Sequence, residues 1–340
     1  MGKELLEYFY HIYFLKKIIR NQWLKCSELE RLQNRKLIKL INHAYNNIKY
    51  YRELFRSRGI SPSDIKSVND LHKVPVTRRE DIKSLSVTDI IWRHKYLKGY
   101  FKYTTSGTTA NPLNIYVDKK ENTLQSVLYL RMLFANGYKI TDRLLSITHP
   151  QFIKKDKKNF FQYLRLFNTK YISIFNHPEE NLNFILNFQP NIIRSYIHSI
   201  KEIAEEIMKK DIKICNISLV FTTGDFLSKE DREFIANIIK ADIIDYYSST
   251  ECGLIAWECK KHMGYHINSD TIILELVNHK GERVLPEEIG EVLITNLDQY
   301  TMPLIRYAIG DYAILSNTPC SCGRTLPLLK AIIGRNTGLL

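Results

Sequence analysis

The sequence predicts an α/β fold of several layers, in which a helical lead-in precedes a parallel sheet and a β-rich segment follows it. Three patterns support this prediction: apolar residues at helical spacing near the start, apolar runs that alternate with helical runs in the middle, and short β-type runs between Gly, Pro and Asn near the end. We place the three segments at residues 1–98, 99–250 and 251–340.

The middle segment carries the strongest pattern. Four apolar runs have the length and composition of buried strands: Leu144–Thr148, Ile192–Tyr196, Leu219–Thr222 and Ile243–Tyr247. Three helical runs alternate with them: Asn122–Asn136, Ile200–Lys209 and Lys229–Ile239. This alternation indicates a mostly parallel sheet, because parallel strands need crossover connections. The last segment contains three further predicted strands: Thr271–Val277, Gly290–Thr295 and Tyr312–Leu315.

The composition is that of a globular protein with a basic surface. The chain has 340 residues, 44% of them hydrophobic, and its 49 Lys and Arg against 36 Asp and Glu give a net charge of +13. That charge favours anionic partners such as nucleotides, coenzyme A or an anionic membrane surface, and a generally Lys-rich surface explains it as well. We expect no nucleic-acid binding, because no uninterrupted Lys/Arg block with interleaved aromatic residues occurs.

The first residues, Met1–Trp23, are apolar but are interrupted by Glu and Lys, so we expect neither a signal peptide nor a transmembrane segment. Their spacing is typical of an amphipathic helix that packs on the body, and peripheral membrane contact is left open. We therefore expect a cytoplasmic protein whose six cysteines are reduced.

A loop rich in hydroxyl groups, Tyr103–Pro112, surrounds Gly107 and precedes a predicted strand at Leu113–Val117. Backbone N–H groups and small hydroxyls in such a loop can donate to phosphate oxygens. The Gly-Lys-Ser/Thr triplet of a Walker A loop is absent, and an ordinary surface turn is the alternative. The candidate phosphate ligands are Thr105, Ser106, Gly107, Thr108 and Thr109.

Two polar blocks end neighbouring predicted strands, Thr222–Asp225 and Asp245–Glu251. Ligands in parallel sheets bind outside the carboxyl ends of the strands, so we expect both blocks to converge with the hydroxyl-rich loop. A tyrosine there can stack on a purine, Thr250 can donate to the α-phosphate, and Glu251 can hold Mg²⁺. A solvated carboxylate at a strand end is the alternative for Glu251.

A further block, Pro303–Asp311, places a carboxylate beside a glycine turn, where Asp311 can accept hydrogen bonds from both ribose hydroxyls. Arg306 in the same block can neutralise phosphate or form a structural ion pair.

Taken in order, these blocks resemble the phenylacetate–coenzyme A ligase group of the adenylate-forming (AMP-binding) superfamily, including its capsular polysaccharide biosynthesis branch. The resemblance runs from about Leu32 to Arg335 and includes the lead-in at 43–52 and the segment at 73–78. It implies the fold of the large N-terminal domain of that superfamily. It also implies ATP or AMP and Mg²⁺ as ligands, and attack of a carboxylate on the α-phosphorus, followed by acyl transfer to a thiol such as coenzyme A.

The resemblance also assigns residues to parts of the nucleotide. It implies that Thr250 and Glu251 serve the α-phosphate and Mg²⁺. The implied adenine and ribose contacts are Gly224, Asp225, Tyr246, Tyr247, Asp311 and Arg335. Two positions differ from the family pattern, since Ala110 and Ser248 stand where the family usually has glycine.

The family pattern continues after Arg335 with a small C-terminal domain that bears the adenylation lysine. We expect this chain to lack that domain, which leaves open a partner chain that supplies it, a homodimer, or a non-catalytic nucleotide-binding protein acting in polysaccharide biosynthesis. Tyr196 and His198, after a predicted strand, are candidate walls of the carboxylate pocket.

A Cys₃His set completes the candidate sites: Cys259, His266, Cys320 and Cys322. Thiolates and imidazole suit tetrahedral Zn²⁺, although the Cys-x-Cys spacing is shorter than usual and buried free cysteines are the alternative. Cys252 and His262 are competing ligands.

Overall fold

The structure is a computed structural model that describes residues 2–105, 112–153 and 166–335, with side chains from residue 12 onward. Residues cluster into two compact units. Unit 1 comprises Met1–Arg131, Ser249–Ala256 and Met263–Leu340, and unit 2 comprises Met132–Ser248 and Trp257–His262.

The described elements follow the order that the sequence patterns predict: helices first, then strands that alternate with helices, then consecutive strands. The α-helices are α1 Gly2–Asn21, α2 Cys26–Asn47, α3 Lys49–Ser57, α4 Arg79–Lys83, α5 Val87–Ile90, α6 Lys119–Ala135, α7 Pro178–Phe188, α8 Ile197–Lys209 and α9 Lys229–Ile239. Short 3₁₀ turns lie at Pro62–Asp64, Val68–Lys73, His94–Gly99 and Pro150–Phe152. The strands are β1 Phe101–Thr104, β2 Asn114–Val117, β3 Leu144–Thr148, β4 Thr169–Ser173, β5 Ile192–Tyr196, β6 Leu219–Thr223, β7 Asp242–Ser249, β8 Gly253–Glu258, β9 Tyr265–Ile267, β10 Ile272–Val277, β11 Ile289–Asn296, β12 Tyr307–Leu315 and β13 Leu328–Arg335.

Unit 2 is built on a parallel sheet with the strand order β7-β6-β5-β3-β4. Strands β3 and β6 are buried along their whole length, which explains why their sequences are continuous apolar runs. The helices contribute isoleucines to the same core, among them Ile200, Ile203 and Ile235, each fully buried. The carboxyl ends of β5, β6 and β7 therefore lie at one edge of this sheet, as predicted.

Unit 1 contains the helical lead-in, the β1-β2 hairpin and an antiparallel sheet in the order β10-β11-β12-β13-β9, with β8 beside β9. Its interior includes an ion pair without solvent exposure, in which Arg131 lies 3.0 Å from Asp270. Arg131 also donates to the carbonyl of Ile18, and Asn21 donates to Asp270, so the end of α1 is fixed to the body.

The predicted fold class is confirmed. The four strands predicted in the middle segment correspond to β3, β5, β6 and β7 within two residues at each end, and the predicted helix Lys229–Ile239 corresponds to α9 at both ends. Among the described helices, none is both long and apolar enough to cross a bilayer. The division at residues 98 and 250 stays a prediction.

Candidate functional site

The hydroxyl-rich loop emerges from the β1-β2 hairpin of unit 1. At its base the N–H of Thr105 donates to the carbonyl of Leu113 at 3.0 Å, and the N–H of Leu113 donates to Oγ1 of Thr105 at 3.0 Å. Thr105 is buried, so its hydroxyl is a fixed part of the loop base. The other predicted phosphate ligands, Ser106, Gly107, Thr108 and Thr109, and with them Ala110, lie outside the described residues.

The predicted magnesium ligand, Glu251, is a buried carboxylate with two donors on one oxygen. Arg79 donates from Nη1 to Oε1 at 3.0 Å, and the hydroxyl of Tyr307 lies 3.4 Å from the same oxygen. Burial and the negative charge of Glu251 raise the pKa of Tyr307, so the phenol stays protonated and acts as the donor. Glu251 is therefore not a solvated carboxylate at a strand end.

Arg79 also connects this carboxylate to the loop base. Its Nη2 donates to Oγ1 of Thr105 at 2.6 Å, so one guanidinium contacts both the predicted metal ligand Glu251 and the first predicted phosphate ligand. The sequence patterns did not single out Arg79, although it follows the segment at 73–78 directly. Its signal was weak, because an arginine in a short segment without periodicity is usually a surface residue.

The backbone explains why Arg79 and Tyr307 meet at Glu251. The N–H of Thr77 donates to the carbonyl of Arg306 at 3.0 Å, and the N–H of Ala308 donates to the carbonyl of Thr77 at 3.0 Å. These two bonds form a parallel bridge between Thr77 and Tyr307. The short helix α4 that begins with Arg79 is thus attached to the start of β12.

Arg306, which the sequence left between phosphate binding and a structural ion pair, has structural contacts. Its side chain is 4% exposed, and its Nε lies 3.1 Å from Oε2 of Glu275. Its Nη1 donates to the carbonyls of His72 and Val74 at 3.2 and 2.8 Å. The structure therefore favours the ion-pair interpretation, and the pair supports the segment that leads to Arg79.

The two predicted ribose contacts in unit 1 lie on neighbouring strands. Asp311 pairs with Arg335 in the register of β12 and β13, and Nε of Arg335 lies 3.8 Å from Oδ1 of Asp311. The register of β12 against β11 is interrupted around Gly310, where φ is +91°. This irregularity interrupts the regular alternation of side chains along β12 next to Asp311.

In unit 2, the strand-end blocks are joined by their own polar side chains. Thr222 donates from Oγ1 to Oδ1 of Asp245 at 2.9 Å, and the hydroxyls of Thr223 and Ser248 lie 3.3 Å apart. Ser248, one of the two positions expected from the resemblance to be glycine, thus contacts Thr223. Four of the predicted adenine and ribose contacts lie in or after these strands, with Tyr246 and Tyr247 buried and Gly224 and Asp225 exposed.

Two features restrict position 224 to glycine: the positive φ of its backbone and the close approach of Tyr196. Its φ is +105°, and a Cβ at this position would lie 2.5 Å from Cδ1 of Tyr196. The ring of Tyr196, a predicted pocket wall, is therefore in contact with the backbone at the end of β6. His198 lies on α8 with a side chain 75% exposed and 3.1 Å from Glu202, and its role in the pocket stays a prediction.

Three of the four predicted zinc ligands lie together in unit 1. The ligand atoms of His266, Cys320 and Cys322 are all within 4.8 Å of one another, and Sγ of Cys322 is 3.3 Å from Nε2 of His266. Cys259 is also buried, and it lies in the segment Trp257–His262, which belongs to unit 2.

The surroundings of His266 and Cys322 favour the forms of these side chains that bind a metal. Burial lowers the pKa of His266 to about 4, so its imidazole is neutral. Burial acts against ionisation of Cys322, but hydrogen bonds from the backbone and side chain of Arg324 and from Cys320 outweigh it, and the net pKa is lowered. Neutral imidazole and thiolate are the forms that bind Zn²⁺.

The two competing ligands have other surroundings. Burial raises the pKa of Cys252, which keeps its thiol protonated. His262 lies between two carboxylates of unit 2, 3.1 Å from Asp242 and 3.5 Å from Glu258. Hydrogen bonds to Asp242 and Glu258 raise the pKa of His262 to about 9, so it is a cation near neutral pH.

Replacing His262 with glutamine is expected to cost about 1–2 kcal/mol of unfolding free energy near pH 6 and much less near pH 10. Its pKa is about 9 in the folded chain and roughly 6.5 in an unfolded one, so its stabilisation is complete below about pH 6.5 and is lost as the pH rises through 9. The cost is smaller than the full shift implies, because the side chain is 34% exposed. Urea unfolding at both pH values measures this cost.

His198→Gln is the control, because it alters an exposed histidine that also lies near a carboxylate. It should show no difference between the two pH values. Equal losses of stability in both variants would contradict the raised pKa of His262.

This chain is similar to known proteins along most of its length. No family model matches it. It is 25% identical to Protein CapK of Staphylococcus aureus, a match that covers 100% of this chain and 74% of CapK. It is 23% identical to the phenylacetate-coenzyme A ligase of Thermus thermophilus, covering 92% of this chain and 72% of that protein.

The fold is also found in a solved structure. The chain matches 2-hydroxyisobutyryl-CoA ligase, in complex with 2-HIB-AMP and coenzyme A, with a TM-score of 0.81 at 19% identity, covering 93% of this chain and 70% of that one. The resemblance predicted from the motifs is confirmed. The chain is similar along nearly its whole length to the phenylacetate–coenzyme A ligases and CapK, and its fold is that of the adenylate-forming ligases.

Proposed function

We propose that the chain activates a carboxylic acid with ATP. The carboxylate attacks the α-phosphorus, the bond to the bridging oxygen of pyrophosphate breaks, and an acyl-adenylate forms. The acyl group then passes to a thiol such as coenzyme A, and AMP leaves. The observation that carries this proposal is the group in unit 1 where Glu251, Arg79 and Tyr307 meet beside Thr105 at the base of the predicted phosphate loop.

Magnesium fits this group. Glu251 offers a buried carboxylate oxygen, the ligand type that Mg²⁺ prefers, and the position beside that oxygen already accommodates the positive charge of Arg79. When bound, Mg²⁺ would neutralise charge on the phosphate oxygens. We assign Glu251 to the metal and Thr250, the residue before it, to the α-phosphate.

The chain's own residues orient the nucleotide in this proposal. Asp311 and Arg335 hold the ribose, and Tyr246 and Tyr247 of unit 2 contact the adenine, with Gly224 and Asp225 beside them. The attacking carboxylate is already ionised near neutral pH, so no protein base is required for adenylation. Catalysis depends on positioning and on stabilisation of charge at the α-phosphate.

Isotope exchange between pyrophosphate and ATP tests the proposal, because it reports reversal of the adenylation step alone. A screen of aryl and short-chain acids should find at least one that makes exchange depend on the acid. Binding of ATP without exchange for any acid in the screen would count against the enzyme and favour the second candidate.

That second candidate is a nucleotide-binding protein without turnover, acting in polysaccharide biosynthesis. The match to CapK over the whole of this chain favours the role in polysaccharide biosynthesis, and the exchange assay decides on turnover. A small lysine-bearing protein that co-purifies with the chain and restores exchange would instead indicate a two-chain enzyme. An exchange rate per chain that rises with the chain concentration would indicate an active homodimer.

We further propose a structural Zn²⁺ held by His266, Cys320 and Cys322, with Cys259 the fourth ligand predicted from the sequence. The purified protein should contain about one zinc per chain. Cys322→Ser should lose the metal and lower the unfolding temperature, whereas Cys215→Ser, which alters an exposed cysteine, should retain both. Plasma emission spectrometry measures the zinc content of the purified protein. If the wild-type protein contains no zinc when the cells are grown with ample zinc, the cysteines are simply buried free thiols.

A further inference from the structure

Arg79 makes contacts that differ from those of the arginine next to it. Its guanidinium donates to Oε1 of Glu251 at 3.0 Å and to Oγ1 of Thr105 at 2.6 Å, with the side chain 21% exposed. Arg78 pairs instead with Glu291 at the surface, with its side chain 55% exposed. Arg79 alone of the two therefore reaches the predicted phosphate and metal ligands.

The backbone fixes where Arg79 begins but leaves its side chain free to change partners. Thr77 is hydrogen-bonded through its N–H to the carbonyl of Arg306 and through its carbonyl to the N–H of Ala308, so the start of α4 is held in place. The arginine side chain has several rotatable bonds and ends in a planar group with five donors. Small changes in its torsion angles can move that group between acceptors in the same region while Cα stays fixed.

We propose that Arg79 is a phosphate-binding residue that exchanges partners when nucleotide binds. In the nucleotide-free chain it neutralises Glu251 and holds Thr105. When MgATP binds, the metal takes the carboxylate of Glu251 and the guanidinium of Arg79 turns to the terminal phosphates. This inference rests on the nucleotide site of the proposed function.

Charge favours the exchange. A guanidinium and Mg²⁺ on the same buried carboxylate repel each other, and this repulsion is poorly screened there. The triphosphate brings several negative charges with the metal, and a guanidinium binds phosphate with paired, charge-assisted hydrogen bonds. Arg79 therefore has a new anionic partner available at the moment when it loses Glu251.

Thr105 indicates which phosphates Arg79 contacts. Arg79 donates to the base of the predicted phosphate loop, whereas the α-phosphate is assigned to Thr250 in the proposed function. The guanidinium then contacts the part of ATP that leaves as pyrophosphate. A residue of this kind strengthens the binding of ATP and of pyrophosphate but does little for AMP, and a purely structural ion pair would not distinguish among the three.

Equilibrium binding by calorimetry tests the exchange without requiring turnover. Arg79→Ala is expected to weaken binding of MgATP and of magnesium pyrophosphate by about 10- to 100-fold, while AMP binding changes by less than about threefold. Arg79→Lys should give an intermediate loss for MgATP, because it keeps the charge but not the paired donors. Arg78→Ala, the matched control, should bind all three as the wild type does.

A second measurement moves in the opposite direction. Without nucleotide, Arg79 competes with a divalent cation for Glu251, so Arg79→Ala is expected to bind Mn²⁺ alone more tightly than the wild type, and the double variant Arg79→Ala with Glu251→Gln should lose that gain. Thermal unfolding shows whether each variant is folded, and Arg79→Lys serves as the test if the alanine variant is not.

Each outcome separates this inference from the proposed function. The role of Arg79 alone is overturned if the wild type binds both MgATP and AMP and the Arg79→Ala variant binds both equally more weakly. It is also overturned if the variant binds both as tightly as the wild type. Failure of every acid to support exchange, together with the expected binding differences, overturns the proposed reaction and leaves Arg79 as a phosphate ligand. A wild-type chain that binds no MgATP overturns both.

Discussion

Replacing Glu251 with glutamine is expected to lower the rate of acid-dependent pyrophosphate exchange by about 100- to 1,000-fold. The amide has nearly the same shape and can still accept a hydrogen bond from Tyr307, so the change removes mainly the charge that the proposed Mg²⁺ requires. The initial rate of exchange at saturating acid measures the effect.

Glu291→Gln is the matched control, because Glu291 is a carboxylate of the same unit that also pairs with an arginine, Arg78. It should retain exchange within about threefold, as expected for a peripheral ion pair. If Glu251→Gln also retained wild-type exchange at every magnesium concentration, Glu251 would have no role as the metal ligand.

Replacing Arg306 with methionine is expected to lower the unfolding free energy by about 3 kcal/mol. Both partners of the Arg306–Glu275 pair are almost fully buried, and removing the cation leaves a buried carboxylate with reduced compensation. The variant also loses the donors to the carbonyls of His72 and Val74. Urea unfolding of the purified chain measures the loss.

Arg283 provides the control for this second prediction, because it approaches the same carboxylate, Glu275, at 3.4 Å with a side chain 41% exposed. Arg283→Met should cost less than about 1 kcal/mol. The double variant Arg306→Met with Glu275→Leu should recover part of the loss, since no unpaired charge is then buried. Equal losses in the Arg306 and Arg283 variants would mean that burial does not determine the cost.

Strands were predictable from the sequence where burial is complete. Leu144–Thr148 was predicted with correct bounds because both faces of β3 are covered, which leaves a continuous apolar run. The edge strand β4 was missed because its residues are mostly half-buried and show no such run. The start of β12 was also missed, since Gly310 and the polar residues around it are typical of a turn rather than of a bulged strand.

The candidate site was predictable only in part, for a related reason. Glu251 comes just after β7, and Asp311 comes after a stretch rich in apolar residues, beside a glycine. A carboxylate in such a position is a recognisable signal. Arg79 gave only a weak signal, because its position depends on hydrogen bonds that join Thr77 to Arg306 and Ala308, which are far from it in sequence. For Arg306 the sequence allowed two roles, and only burial beside Glu275 separates them.

The fate of the carboxylate oxygens tests the central claim most directly. If the chain forms an acyl-adenylate, a carboxylic acid labelled with oxygen-18 must transfer one labelled oxygen to AMP when the acyl group passes to coenzyme A. Mass spectrometry of the nucleotide product should therefore show AMP with a single label. Unlabelled AMP, or ADP with labelled inorganic phosphate, would contradict activation of the acid at the α-phosphorus.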